Sequence, residues 1–172
     1  VNTDSIASGN TVGISVTTGT GTGNFTLSPF SCEFSTTDST FVLGGGFSAG
    51  STLTASTTYF MGVGNSNTTL TTEDSTDSDA NIACTLSQLW CYLSANATTA
   101  ASTFDIRANN ASTAVTISIA GGTTGAFQDS INSVAIVATD EVALRFAVGA
   151  GGSVVLRYNS LNSLNTEGVA AY

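Results

Sequence analysis

The chain has 172 residues, with 12 Asp or Glu against three Arg, no Lys and no His, giving a formal net charge of −9. So few cations argue against nucleic-acid binding, which needs clustered Lys or Arg for the phosphates. The missing His removes Ser-His-Asp and Cys-His catalysis and imidazole-held zinc. Charged residues are only 9%, while 29 Thr and 23 Ser coat the chain with hydroxyls, and a hydrophobic share of 41% places it among folded proteins. No run of about 18 apolar residues offers a membrane span, and no basic stretch leads into an apolar segment as in a signal peptide. Val1 in place of Met reads as the start of a mature product.

Strand signals dominate from end to end, and no window shows a period of 3.6. The expected fold is all-β: one jelly-roll or β-sandwich domain over residues 29–172, preceded by an extended N-terminal arm over residues 1–28. In the arm, Thr11–Thr18 alternates Ile14 and Val16 with hydroxyl residues and then runs into Thr18-Gly19-Thr20-Gly21-Thr22-Gly23, a flexible link. Such an arm packs on its own domain or adds to the sheet edge of a neighbouring copy.

Within the domain, strands are expected at 24–34, 39–43, 58–63, 86–94, 102–108, 114–119, 133–138, 142–148 and 153–158. Their spacing of about ten residues, with Gly, Asn, Ser or Asp between them, is that of a sandwich or jelly roll. Gly44-Gly45-Gly46 lacks the following helix and nearby Lys of a phosphate cradle and reads as a turn or bulge. Alternation is sharpest at Phe104/Ile106/Ala108, Val115/Ile117/Ile119 and Val142/Leu144/Phe146, which mark core faces. Arg107 and Arg145 have the opposite parity and are expected on an outer face, in solvent or in an interface. Trp90 and Tyr92 lie in a strongly apolar strand, which suggests packing in a core or interface; exposed, either ring can stack on a sugar.

Glu73, Asp74, Asp77 and Asp79 place four carboxylates within seven residues. Asp77, Asp79 and Asn81 repeat the alternate-oxygen spacing of a loop that wraps Ca²⁺, although Ile82 and Gln88 stand where an EF-hand loop needs Gly and Glu. Those three residues are the candidate metal ligands, and Ca²⁺ is the candidate cofactor. Asn24, Asn67, Asn96 and Asn110 open N-glycosylation sequons, about as many as composition alone yields. Of the three cysteines, Cys84 and Cys91 on one extended strand stand about 23 Å apart at 3.3 Å per residue, too far to bridge. A disulfide would therefore join Cys32 to one of them; three buried thiols are the other arrangement.

From Thr58 onward a longer pattern emerges. It runs through Leu86-Ser87-Gln88-Leu89-Trp90-Cys91-Tyr92, Phe104-Asp105-Ile106-Arg107-Ala108-Asn109-Asn110, Thr113-Ala114-Val115-Thr116-Ile117, Asn132-Ser133-Val134-Ala135-Ile136 and Asp140-Glu141-Val142-Ala143-Leu144-Arg145. This order resembles a jelly-roll module of tailed-phage virion structural proteins and related environmental extracellular proteins, over residues 58–172. Asn109-Asn110 stands where the module has Asn-Gly, and Thr139-Asp140 where it has Gly-Asp.

The resemblance implies a non-enzymatic subunit of a repeated extracellular or virion-surface particle, self-assembled as a filament, spike or shell. Its partner would be further copies of itself, joined through jelly-roll faces; the arm, outside the resemblance, offers an exchanged N-terminal strand as a further joint. A carbohydrate-binding or adhesion module, with glycans as partner, is the alternative. Neither reading needs an active site, nucleic acid or membrane.

Overall fold

A computed structural model describes residues 40–63, 69–80 and 83–164, with 40–49 as backbone only. The arm over 1–28, the strands expected at 11–18 and 24–34, and Asn24, Cys32, Asn67 and Asn81 lie outside the described residues.

The strands are β1 (Thr40–Leu53), β2 (Thr58–Gly62), β3 (Ser78–Asp79), β4 (Cys84–Thr98), β5 (Ser102–Ala108), β6 (Ala111–Ile119), β7 (Gly125–Ile136), β8 (Glu141–Ala147) and β9 (Gly151–Leu164). Among the described residues the one helical element is a single 3₁₀ turn, Glu73–Ser75. The first sheet runs β1-β9-β4-β7; the second runs β2-β8-β5-β6, with β3 added beside β8. Every strand pair is antiparallel, and the two sheets enclose one apolar core, a β-sandwich.

Period-two patterning builds the second sheet as its sequence suggests. Phe104 and Phe146 are direct cross-strand partners on β5 and β8, both fully buried, with ring centroids 5.5 Å apart. Ile106, Leu144 and Met61 continue that face, and Leu86, Leu89, Leu93 and Leu156 of the first sheet oppose it. Burying one such side chain contributes roughly 1.5–3 kcal/mol, so this layer holds the sheets together. The β5–β6 hairpin turns on Asn109 and Asn110, at φ 50° and 62°, the paired left-handed geometry of a two-residue hairpin turn.

The first sheet departs from simple alternation. On β4 the ladder to β7 slips between Ser87 and Leu89, with Gln88 at φ 54° as the inserted residue. That bulge brings Leu86 to the same face as Leu89, Cys91 and Leu93, all buried, and turns Trp90 and Tyr92 outward. Gln88 Nε2 donates to the Ser130 carbonyl at 3.1 Å, tying the bulge to the displaced part of β7.

Gly44-Gly45-Gly46, expected as a turn or bulge, are instead strand residues of β1, opposite Ser160, Asn159 and Tyr158 of β9; the register shift follows them, between Gly46 and Ser51. β7 begins at Gly125, well before the expected Ser133, because Ser130–Asn132 bulge out and hide its period.

Candidate functional site

The edges and outer faces of a β-sandwich are the surfaces it presents to partners. Of the sheet edges, that of β2 is bridged at one point by a reciprocal backbone pair, Phe60 N–H to Leu70 O at 2.7 Å and Leu70 N–H to Phe60 O at 3.0 Å. The β6 and β7 edges lie against one another, and the Asp129 carboxylate reaches from β7 to accept the Thr116 N–H of β6 at 2.9 Å. The outer edge of β1 has no partner among the described residues. This strand is 14 residues long, against a usual length of about 5–6, and its sequence TFVLGGGFSAGSTL has no charge and no Pro. Natural edge strands are normally short, charged, broken by Pro or covered.

Asp129 is a structural carboxylate. Besides Thr116 it accepts from the Ile131 and Asn132 N–H groups, each at 3.1 Å, and from Asn132 Nδ2, which approaches Oδ2 to 2.9 Å. Burial alone would raise its pKa, but the bonds from the Asn132 side chain and backbone, Thr116 and Ile131 prevail and hold it at about 2. With its lone pairs occupied it has no free site for acid–base work in the shallow hollow of about 250 Å³ that it borders. What the bonds do is fix the β7 bulge, at whose tip Ile131 is 90% exposed.

On the outer face of the first sheet, two rows cross the four strands. One reads Gln128, Trp90, Ser160 and Gly44; the next reads Ala126, Tyr92, Tyr158 and Gly46. The Trp90 and Tyr92 rings lie 6.5 Å apart and 24° from parallel, and Tyr92 and Tyr158 lie 6.2 Å apart and 50° from parallel. Tyr92 is 38% and Tyr158 52% exposed, while Trp90 is half-buried. The sequence suggests a core or an interface for Trp90 and Tyr92; the Gln88 bulge turns both out of the core. Nothing in the sequence marks Tyr158, because its place in the row depends on the β9 register.

The outer face of the second sheet carries Arg107 and Arg145, as their parity suggests, each held in an ion pair. Arg107 reaches Glu73 with Nε and Nη2, each at 2.8 Å, and Nη1 donates to Ser112 Oγ at 3.0 Å; Nη2 also meets the Asn110 carbonyl. Arg145 makes a two-point contact with Asp105. The Glu73 contact pins the connection after β2 across this face.

The remaining candidates among the described residues are spread over several elements. Glu73 is engaged by Arg107, Asp77 N–H donates to the Glu73 carbonyl at 3.3 Å, and Asp79 lies on β3 opposite Glu141. Among the described residues no three metal-ligating side chains come together. Cys84 and Cys91 both point into the core from β4 and are not bridged to one another. Burial pushes the Cys91 thiol up to about 12. Asn110 is exposed at its hairpin turn. Asn96 is braced: its Nδ2 donates to the Ala120 and Thr123 carbonyls at 3.2 and 2.9 Å, and its Oδ1 accepts from Thr98 N and Oγ1 at 3.1 and 2.7 Å. A glycan at Asn96 would leave Nδ2 a single N–H in place of the two it donates. Comparison with protein-family models, curated proteins and solved structures finds no match to this chain.

Proposed function

We propose that the protein is a non-enzymatic, jelly-roll structural subunit that self-assembles into a repeated extracellular or virion-surface particle by adding a strand of one copy to the β1 edge of the next. The observation that carries this reading is the β1 edge itself: long, uncharged, free of Pro and without a second partner strand among the described residues, where β2 is bridged to Leu70 and the β6 and β7 edges abut. Strand addition supplies a full row of main-chain hydrogen bonds and needs no charged side chains, which suits a chain with three Arg and no Lys. Two of those Arg are engaged in internal ion pairs, so they do not guard an edge. The strand orders β1-β9-β4-β7 and β2-β8-β5-β6 support the jelly-roll reading, since eight strands laid out in this way form two interleaved Greek keys.

The donor strand is assigned to the arm, where Ile14 and Val16 alternate with hydroxyl residues ahead of a glycine-rich link. Deleting residues 1–23 should leave a folded domain, by circular dichroism, that no longer assembles. Ile14→Asp with Val16→Asp in the full chain should do the same. Assembly undiminished in both variants would exclude the arm as donor.

A further inference from the structure

We infer that the outer face of the first sheet is a binding site for a neutral saccharide, with Tyr158 and Tyr92 as stacking rings and Arg157, Ser160 and Gln128 as hydrogen-bonding rim. This goes beyond strand addition and does not rest on it, because it uses a sheet face and not an edge.

Four observations carry it. The rings are flanked by small or absent side chains: Ala126 on one side, and Gly46 and Gly44 on the other, so nothing at those positions rises beside them. Polar groups stand next to the rings in the same rows, Ser160 and Gln128 on either side of Trp90. Arg157 supplies an N–H fork at the margin: its Nε donates to Ser94 Oγ at 3.1 Å, and among the described residues it is the arginine without a carboxylate partner. Gly50, at φ +79°, makes room for it, since a Cβ there would meet Arg157 Cδ at 3.1 Å and Val155 Cγ1 at 2.6 Å.

Charge then selects the ligand class. The rows contain no carboxylate, while the chain as a whole carries −9, so a polyanion is repelled at long range and a neutral polyhydroxyl ligand is not. A pyranose presents apolar C–H faces to aromatic rings and hydroxyls to an amide, hydroxyl or guanidinium rim.

Trp90 is the only tryptophan in the chain, so its emission reports on this face directly. The full chain is titrated with β-1,4-linked glucose and xylose hexasaccharides and β-1,4-linked mannose hexasaccharide, with alginate as an acidic control. The expected result is a saturable change in Trp90 emission with at least one neutral hexasaccharide and none with alginate. Tyr158→Ala should weaken binding about tenfold or more, and Arg157→Gln several-fold. Both side chains lie on the outer face, so circular dichroism should match the parent; if Tyr158→Ala alters it, Tyr158→Ser with Tyr92→Phe is substituted. No saturable change with any neutral hexasaccharide, or unchanged affinity in the Tyr158 variants, overturns the inference. An emission change that follows protein concentration without sugar also overturns it and makes the face a contact between copies. Strand addition is read separately, as mass, and does not stand or fall with this titration.

Discussion

Asp105 on β5 and Arg145 on β8 are cross-strand partners locked by two bonds, Nε to Oδ1 at 2.8 Å and Nη2 to Oδ2 at 3.0 Å, with the Asp105 side chain 2% exposed. A buried charge stripped of its partner is costly, whereas an apolar pair in its place is often tolerated. Asp105→Ala should therefore lower stability by about 2–4 kcal/mol. Asp105→Leu combined with Arg145→Met should recover most of that loss. Urea midpoints at constant slope measure both, and an equal loss in the single and double variants would show that the pair itself is stabilising.

Asp129 sets an acid limit. Its folded pKa of about 2 lies below the ordinary value of 3.8, so its contribution is fully present above pH 4 and fades as pH falls through the folded value. That contribution is about 2 kcal/mol. Asp129→Asn should be destabilised by at least this much at neutral pH, with the gap to the parent narrowing towards pH 2. Thermal unfolding of both proteins across this range tests the sign; a gap that is constant with pH would mean the carboxylate is not held as the bonds imply.

Thr139 sits at φ +80° in the β7–β8 turn, where a β-branched side chain is crowded. Its N–H donates to the Ala80 carbonyl at 2.8 Å, which holds the turn in this geometry. Thr139→Gly removes about 1–2 kcal/mol of left-handed strain against a Gly entropy cost of about 0.5–1 kcal/mol. A net gain of up to about 1.5 kcal/mol is expected, read as a rise in midpoint; a loss would show that the Thr side chain makes a contact worth more than its strain.

Cys91 should be inert in the native state, since burial pushes its thiol to about 12 and leaves almost no thiolate at pH 8. Peptide-level mass spectrometry after iodoacetamide treatment should find Cys91 unlabelled without denaturant and labelled in urea. Native labelling at the unfolded rate would mean that β4 opens freely.

How far the sequence speaks for the fold depends on whether a strand keeps its period. β5 was read to the residue, Ser102–Ala108, because Phe104 and Ile106 alternate without interruption. Arg107 and Arg145 were placed on the correct face by the same parity, but their partners were not legible, since Glu73 and Asp105 meet them only through a long connection and a neighbouring strand. β4 misleads in the opposite way: Leu86 and Leu89 share a face only because Gln88 adopts a left-handed conformation, which no local residue pattern announces. The aromatic rows were half visible, as Trp90 and Tyr92, while Tyr158 joins them through cross-strand register alone. That β1 has no second neighbour among the described residues was not legible at all, because an edge is defined by what lies beside a strand and not by the strand's own residues.

The most direct test of the central claim is the mass of the intact chain in solution, by light scattering behind a sizing column, with electron microscopy of the leading fraction. Strand addition at β1 predicts large, regular particles or fibres. A clean monomer of 17.3 kDa at every concentration would contradict it.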